Sequence, residues 1–94
     1  MLVVTRHRVP VESGESFAAA VAAAVELLAA RPGFLGADAG PNLDEPDLWT
    51  LVVRWESVGA ARRGMSAADA RAALMAVLVS AVDEPTTYDV RVSR

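Results

Sequence analysis

The chain has 94 residues, 53% of them hydrophobic but only 5% aromatic, and a net charge of −3. All nine basic residues are arginine and they do not cluster, which argues against nucleic-acid binding by bulk electrostatics. With no cysteine there is no disulfide framework, no thiolate nucleophile and no cysteine metal site. The length predicts one domain over residues 1–94. Much of the apolar content is alanine, as in FAAAVAAAVELLAA, and a small core of that kind is commonly completed by oligomerisation.

No stretch is long and apolar enough to span a bilayer. In MLVVTRHRV the charges follow a very short apolar run, the wrong order for a signal peptide, so a cytoplasmic protein is expected.

Leu2 to Val9 reads as the first strand, with Val3, Thr5, His7 and Val9 on one face and Leu2, Val4, Arg6 and Arg8 on the other. Pro10 ends it. Ser16 to Arg31 predicts a helix with Phe17, Val21, Ala24, Val25 and Leu28 on one stripe, an N-cap at Ser13 or a neighbour, and a stop at Pro32-Gly33. Gly33 to Ala39 is a second strand, whose glycines predict a bulge or a close approach by another group. Gly40 to Pro46 is a turn-rich loop, so a hairpin into the next strand is expected.

That next strand, DLWTLVVRWES from Asp47 to Ser57, is the most strongly patterned stretch. Trp49, Leu51, Val53 and Trp55 share one face; Leu48, Thr50, Val52 and Arg54 share the other. Both faces are substantially apolar, which predicts helices over one and a second subunit over the other. Ser57 then caps a short helix closed by Gly64, and Ser66 caps another carrying Ala70, Leu74, Val77, Leu78 and Ala81. Thr86 to Val92 is the last strand. The order β-α-β-β-α-β is the split βαβ, ferredoxin-like α+β pattern, an antiparallel sheet with helices on one face. RNA-binding domains share this order, but DLWTLVVRW lacks their aromatic and basic third-strand pattern.

The opening strand VVTRHRV before a helix, the turn RPGF, the strand ending RWES before a short helix, and the final YDV together resemble the antibiotic biosynthesis monooxygenase-like domains of the dimeric α+β barrel group. The resemblance implies a homodimer formed by sheet-to-sheet packing and a ligand cavity between helices and sheet. It implies cofactor-independent oxidation of a small aromatic or polycyclic phenol or hydroquinone by O₂. The alternative is a non-catalytic ligand-binding or structural dimer of the same fold. Trp55 matches the family's strand-end tryptophan. His7 falls where the haem-degrading members place an asparagine; those members also carry a histidine on a later helix, where Leu74 or a neighbour stands here. Haem degradation by that route is therefore not expected.

His7 and Trp55 are the expected catalytic pair, a base and an indole wall on strands that the usual sheet order makes neighbours. Thr5, Phe34, Trp49, Met65 and Tyr88 are candidate substrate contacts. Plain core packing is the competing reading for each. No cofactor is expected. Nor is a metal, since GPNLDEPD lacks the alternating spacing of a calcium loop.

Overall fold

The computed structural model describes all 94 residues. Its elements are β1 (Leu2–Arg8), a 3₁₀ turn (Val11–Ser13), α1 (Gly14–Ala29), β2 (Phe34–Pro41), β3 (Leu48–Trp55), α2 (Val58–Ser66), α3 (Ala68–Leu78) and β4 (Thr87–Tyr88). The four strands form one antiparallel sheet in the order β2-β3-β1-β4. This is the expected ferredoxin-like arrangement, with the second helical segment divided at Ala67.

The odd-numbered face of β1 and β3 is the buried one. Thr5, His7 and Val9 are buried from the first strand, and Leu51, Val53 and Trp55 from β3, as period-two alternation requires. Against them α1 packs Val21, Ala24 and Leu28, α2 packs Ala60 and Ala61, and α3 packs Ala70, Leu74 and Val77. Small alanines let the helices approach the sheet closely. Trp55 then supplies the largest fully buried side chain.

β2 and β3 form the expected hairpin. In the loop between them, the Asn42 side-chain oxygen accepts from the amides of Asp44 and Glu45 at 2.8 and 2.9 Å, an Asx turn. Phe34 lies opposite Trp55 and Gly36 opposite Arg54, so Leu35 is the extra residue of a bulge. A Cβ at Gly36 would strike the Arg54 guanidinium, so both readings of the β2 glycines hold. Gly33 has φ +87°, the left-handed conformation that ends the turn after α1.

Several boundaries differ from expectation: α1 runs from Gly14 to Ala29, two residues earlier at each end, and β2 runs on to Pro41, into the stretch read as loop. Gly64 does not close α2 but sits inside it, because the helix must pass directly over the Trp55 ring. Ser66 does not cap α3; its hydroxyl bonds back to the Arg62 carbonyl, and Ala67 holds the cap position. The last strand is two residues long rather than seven. β1 bonds the terminal segment in two separate places, through Val4 to Thr86 and through Arg6 and Arg8 to Val82 and Ser80, with Asp83–Pro85 between them.

The even-numbered face carries no helix. Leu2, Val4, Leu48 and Val52 lie on it half-buried, among Arg6, Arg8 and Arg54. These arginines pair within the chain: Arg6 with Glu84 at 2.6 Å, Arg8 with Glu45 and Asp47 at 3.1 and 3.3 Å, and Arg54 with Asp38 at 3.0 Å. The arginines are well exposed and of their partners only Glu84 is half-buried; surface pairs of this kind add little to stability.

The Gly64–Trp55 contact gives a direct test. A Cβ at Gly64 would lie 2.8 Å from Trp55 Cζ3 and closer still to Cη2, against a ring with no room to move. Gly64→Ala should therefore lose about 1–3 kcal/mol in urea denaturation, overpacking outweighing the gain in helix propensity. Gly59→Ala, whose Cβ meets only the end of the Arg63 side chain, should be neutral or mildly stabilising.

Candidate active site

The β1–β3 register places the sequence-selected residues. His7 pairs with Trp49, Thr5 with Leu51, and Val3 with Val53. Trp55 lies at the other end of the ladder, where it exchanges backbone hydrogen bonds with Met1. Trp49 and Trp55 are six residues apart on one strand, about 20 Å at the usual rise. His7 and Trp55 thus share a face but not a site, and the expected catalytic pairing is corrected.

Each end of the sheet has its own aromatic cluster. At one, Phe17 stands between His7 and Trp49, with centroids 5.2 and 5.3 Å away. At the other, Phe34 meets Trp55 edge-on at 5.6 Å. Trp55 is wholly buried beneath α2, and its Nε1 has no hydrogen-bond partner in the protein. Its ring belongs to the core and does not line the principal cavity described below.

Between the two clusters lies the principal cavity, of about 450 Å³, within the range of small-molecule sites. Val3, Thr5, Leu51 and Val53 of the sheet line one side of it, and Leu28, Met65 and Leu74 of the helices another. Arg71, Met75 and Leu78 repeat at helical spacing on α3 and, being exposed, form the mouth with Thr87. Eight of the twelve lining residues are hydrophobic, and Arg71 is the only charged one.

Of the expected substrate contacts, Thr5 and Met65 line this cavity. Phe34 and Trp49 instead belong to the two aromatic clusters. Tyr88 pairs with Leu2 and so lies on the helix-free face; its neighbour Thr87, opposite Val3, faces the cavity in its place. Sequence reasoning missed Arg71, Met75, Thr86 and Thr87. The signal available for the α3 pair was their position one step around the helix from the apolar stripe.

His7 reaches the cavity only through Thr5. Its Nε2 lies 2.8 Å from Thr5 Oγ1, and its Nδ1 lies 3.2 Å from Ser80 Oγ. The Ser80 hydroxyl donates to the Val77 carbonyl at 3.1 Å, which leaves its oxygen to accept from the ring. This places the ring proton on Nδ1 and a lone pair on Nε2, accepting from the Thr5 hydroxyl. Burial pushes the imidazole below its ordinary value, because a charged ring would lose its water; the Val77 carbonyl opposes this. The result is a neutral base behind a threonine hydroxyl at the wall of an apolar cavity.

A sequence profile of the antibiotic biosynthesis monooxygenase family matches residues 1–87. The chain belongs to that family. Among curated proteins, no relative matches it. The fold is similar to that of a variant of SnoaB, a cofactor-independent oxygenase from Streptomyces nogalater, at 17% identity and a TM-score of 0.83, over 98% of this chain and 93% of that one. It is also similar to a Deinococcus radiodurans protein assigned as an antibiotic biosynthesis monooxygenase, at 14% identity and a TM-score of 0.79, over 100% and 96% of the two chains. A Bordetella bronchiseptica protein with the same assignment is 25% identical, with a TM-score of 0.71 over 92% of this chain and 88% of that one.

The lowered basicity of His7 has a defined consequence for stability. The unfolded chain takes up a proton near pH 6.5, whereas the folded chain does so only at lower pH. Stability from this group is therefore complete above about pH 6.5 and falls as pH drops toward the folded value. Urea midpoints at pH 8 and pH 5.5 should differ more for the parent than for His7→Gln; equal differences would assign the acid loss to other groups.

Proposed function

We propose that this protein is a cofactor-independent oxygenase acting on a small aromatic or polycyclic phenol or hydroquinone held in the 450 Å³ cavity. The observation that carries the reading is the 2.8 Å contact between His7 Nε2 and Thr5 Oγ1, which brings a buried base to the wall of an apolar site. Family membership supports the reaction class. Flat apolar ligands suit the lining of Leu28, Leu51, Val53, Met65 and Leu74.

The chemistry is worked out for anthrone, whose enol tautomer is a phenol. The substrate hydroxyl gives its proton to Thr5 as Thr5 passes its own to His7 Nε2. The resulting carbanion-like phenolate gives one electron to O₂, forming superoxide and a substrate radical. These combine through a new C–O bond to a peroxide. Its O–O bond then breaks as the remaining C–H proton leaves, giving the ketone and hydroxide, and His7 returns its proton to complete water. One anthrone and one O₂ give one anthraquinone and one water. The substrate anion is the reductant of O₂ throughout.

A second reading is ligand binding without turnover. It draws on the absence of any acid or imidazole among the residues that line the cavity directly, His7 standing behind Thr5. The helix-free sheet face supports a further part of the reading, a homodimer packed sheet to sheet, since Leu2, Val4 and Val52 stay half-exposed there with no helix over them and Tyr88 is exposed beside them. The resemblance to the dimeric α+β barrel group supports the same assembly; no helix is long and apolar enough to cross a membrane.

Two measurements test these proposals. Oxygen uptake with anthrones and hydroquinones should exceed the uncatalysed rate and fall about 10²-fold in both Thr5→Val and His7→Gln. Uptake equal to that of the two variants would move the site. Saturable binding with no uptake would favour the binding-only reading. Sedimentation should give about twice the 9.9 kDa chain mass for the parent and the single-chain mass for Val52→Arg, which puts a charge at the centre of the apolar face.

A further inference from the structure

His7 has no exposed surface, yet it stands between two openings. On its Nε2 side is Thr5 and the principal cavity. On its Nδ1 side is Ser80, which lines a second, smaller cleft of about 260 Å³ between the start of α1 and the end of α3. Its other polar lining residues are Arg8, Ser13 and Ser16, and Phe17 and Ala76 contribute to its walls. Arg8 is the only ionisable side chain in that lining, and Arg71 the only one in the other; a guanidinium offers donors and no acceptor for a proton from the ring. Phe17, against the imidazole at 5.2 Å, offers no proton-carrying group. Besides the Val77 carbonyl, which carries no proton, the polar groups at the ring are therefore the hydroxyls of Thr5 on one side and Ser80 on the other.

We propose that Ser80 is a proton relay joining His7 to solvent in the second cleft, so that the buried base exchanges its proton by a route separate from the ligand cavity. The 3.2 Å Nδ1–Oγ contact and the half-buried position of Ser80 in the cleft wall carry this inference. The balance is simple. As Nε2 takes the Thr5 proton, the Ser80 hydroxyl turns from the Val77 carbonyl toward the cleft, the Nδ1 proton passes to Ser80 Oγ, and the Ser80 hydroxyl proton passes to water in the cleft. The reverse sequence restores the resting ring. A ligand filling the first cavity would seal the Thr5 side and leave this path open. The role of the relay in turnover rests on the oxygenase reading; proton exchange itself can be measured without substrate, so failure of one is distinct from failure of the other.

His7 is the only histidine, so its ring gives one set of resonances in ¹⁵N-histidine-labelled protein. The expected spectrum has the proton on Nδ1. Its exchange with water should slow at least about tenfold in Ser80→Ala and stay at the parent rate in Ser80→Thr, with the backbone amides of Leu51 and Val53 as controls for local opening. A second pair of variants keeps the test valid if Ser80→Ala is unstable. Ala76→Phe, which fills the second cleft, should slow exchange, whereas Met75→Trp, which crowds the mouth of the first cavity, should not. Exchange unaffected by Ser80→Ala, slowed by Met75→Trp instead of Ala76→Phe, or a ring proton found on Nε2 would overturn the proposal.

Discussion

The antiparallel register of β1 against β3, from Leu2 opposite Arg54 to Arg8 opposite Leu48, is the constraint on which the rest depends. A shift of one residue would turn Thr5 and His7 away from the helices and put Arg6 in the core. A shift of two would keep the faces but move His7 away from Trp49. In the register observed, the bulky rings stand at the two ends of the ladder and the small or branched side chains Val3, Thr5, Leu51 and Val53 in the middle. The rings fill their ends, and the middle stays hollow. The cavity is a product of where side-chain volume falls along two paired strands, roofed by an α3 that approaches from above with Leu74.

Alternation alone made the strand faces legible. His7 and Trp55 were rightly placed on one face, and the β2 glycines rightly read as a bulge. Alternation carries no information on how two distant strands slide past each other, so it could not show that His7 meets Trp49 and that Trp55 lies at the far end. The β2–β3 hairpin was easier because its short loop ties the strands locally. The β1–β3 pairing closes across the whole of α1 and β2, beyond any local signal.

The misplaced details share a cause. Gly64 looks like a helix terminator in sequence, yet its missing Cβ serves the Trp55 ring underneath, a tertiary demand with no local signature. Tyr88 looked like a ligand contact because it is aromatic, but pairing with Leu2 turns it to the opposite face. The terminal strand looks longer in sequence because its composition alternates to Val92, whereas its pairing with β1 spans only Thr87 and Tyr88, opposite Val3 and Leu2. Ser80 carried no motif at all. Its relation to His7 depends on where α3 ends, and that is set by packing.

The cavity has walls of very unequal strength. Its floor is a seven-pair ladder and its roof is helix packed into the core. Its side, by contrast, is Thr86 and Thr87, held to β1 over two residue pairs and preceded by the looped-out Asp83–Pro85. Lifting that segment breaks few hydrogen bonds and uncovers little apolar surface, so it belongs among the parts of a fold that open far more often than the whole unfolds. The cavity is thus rigid where the ladder and the core helices bound it, and yields first along one short edge while the strands and rings that shape its interior stay in place.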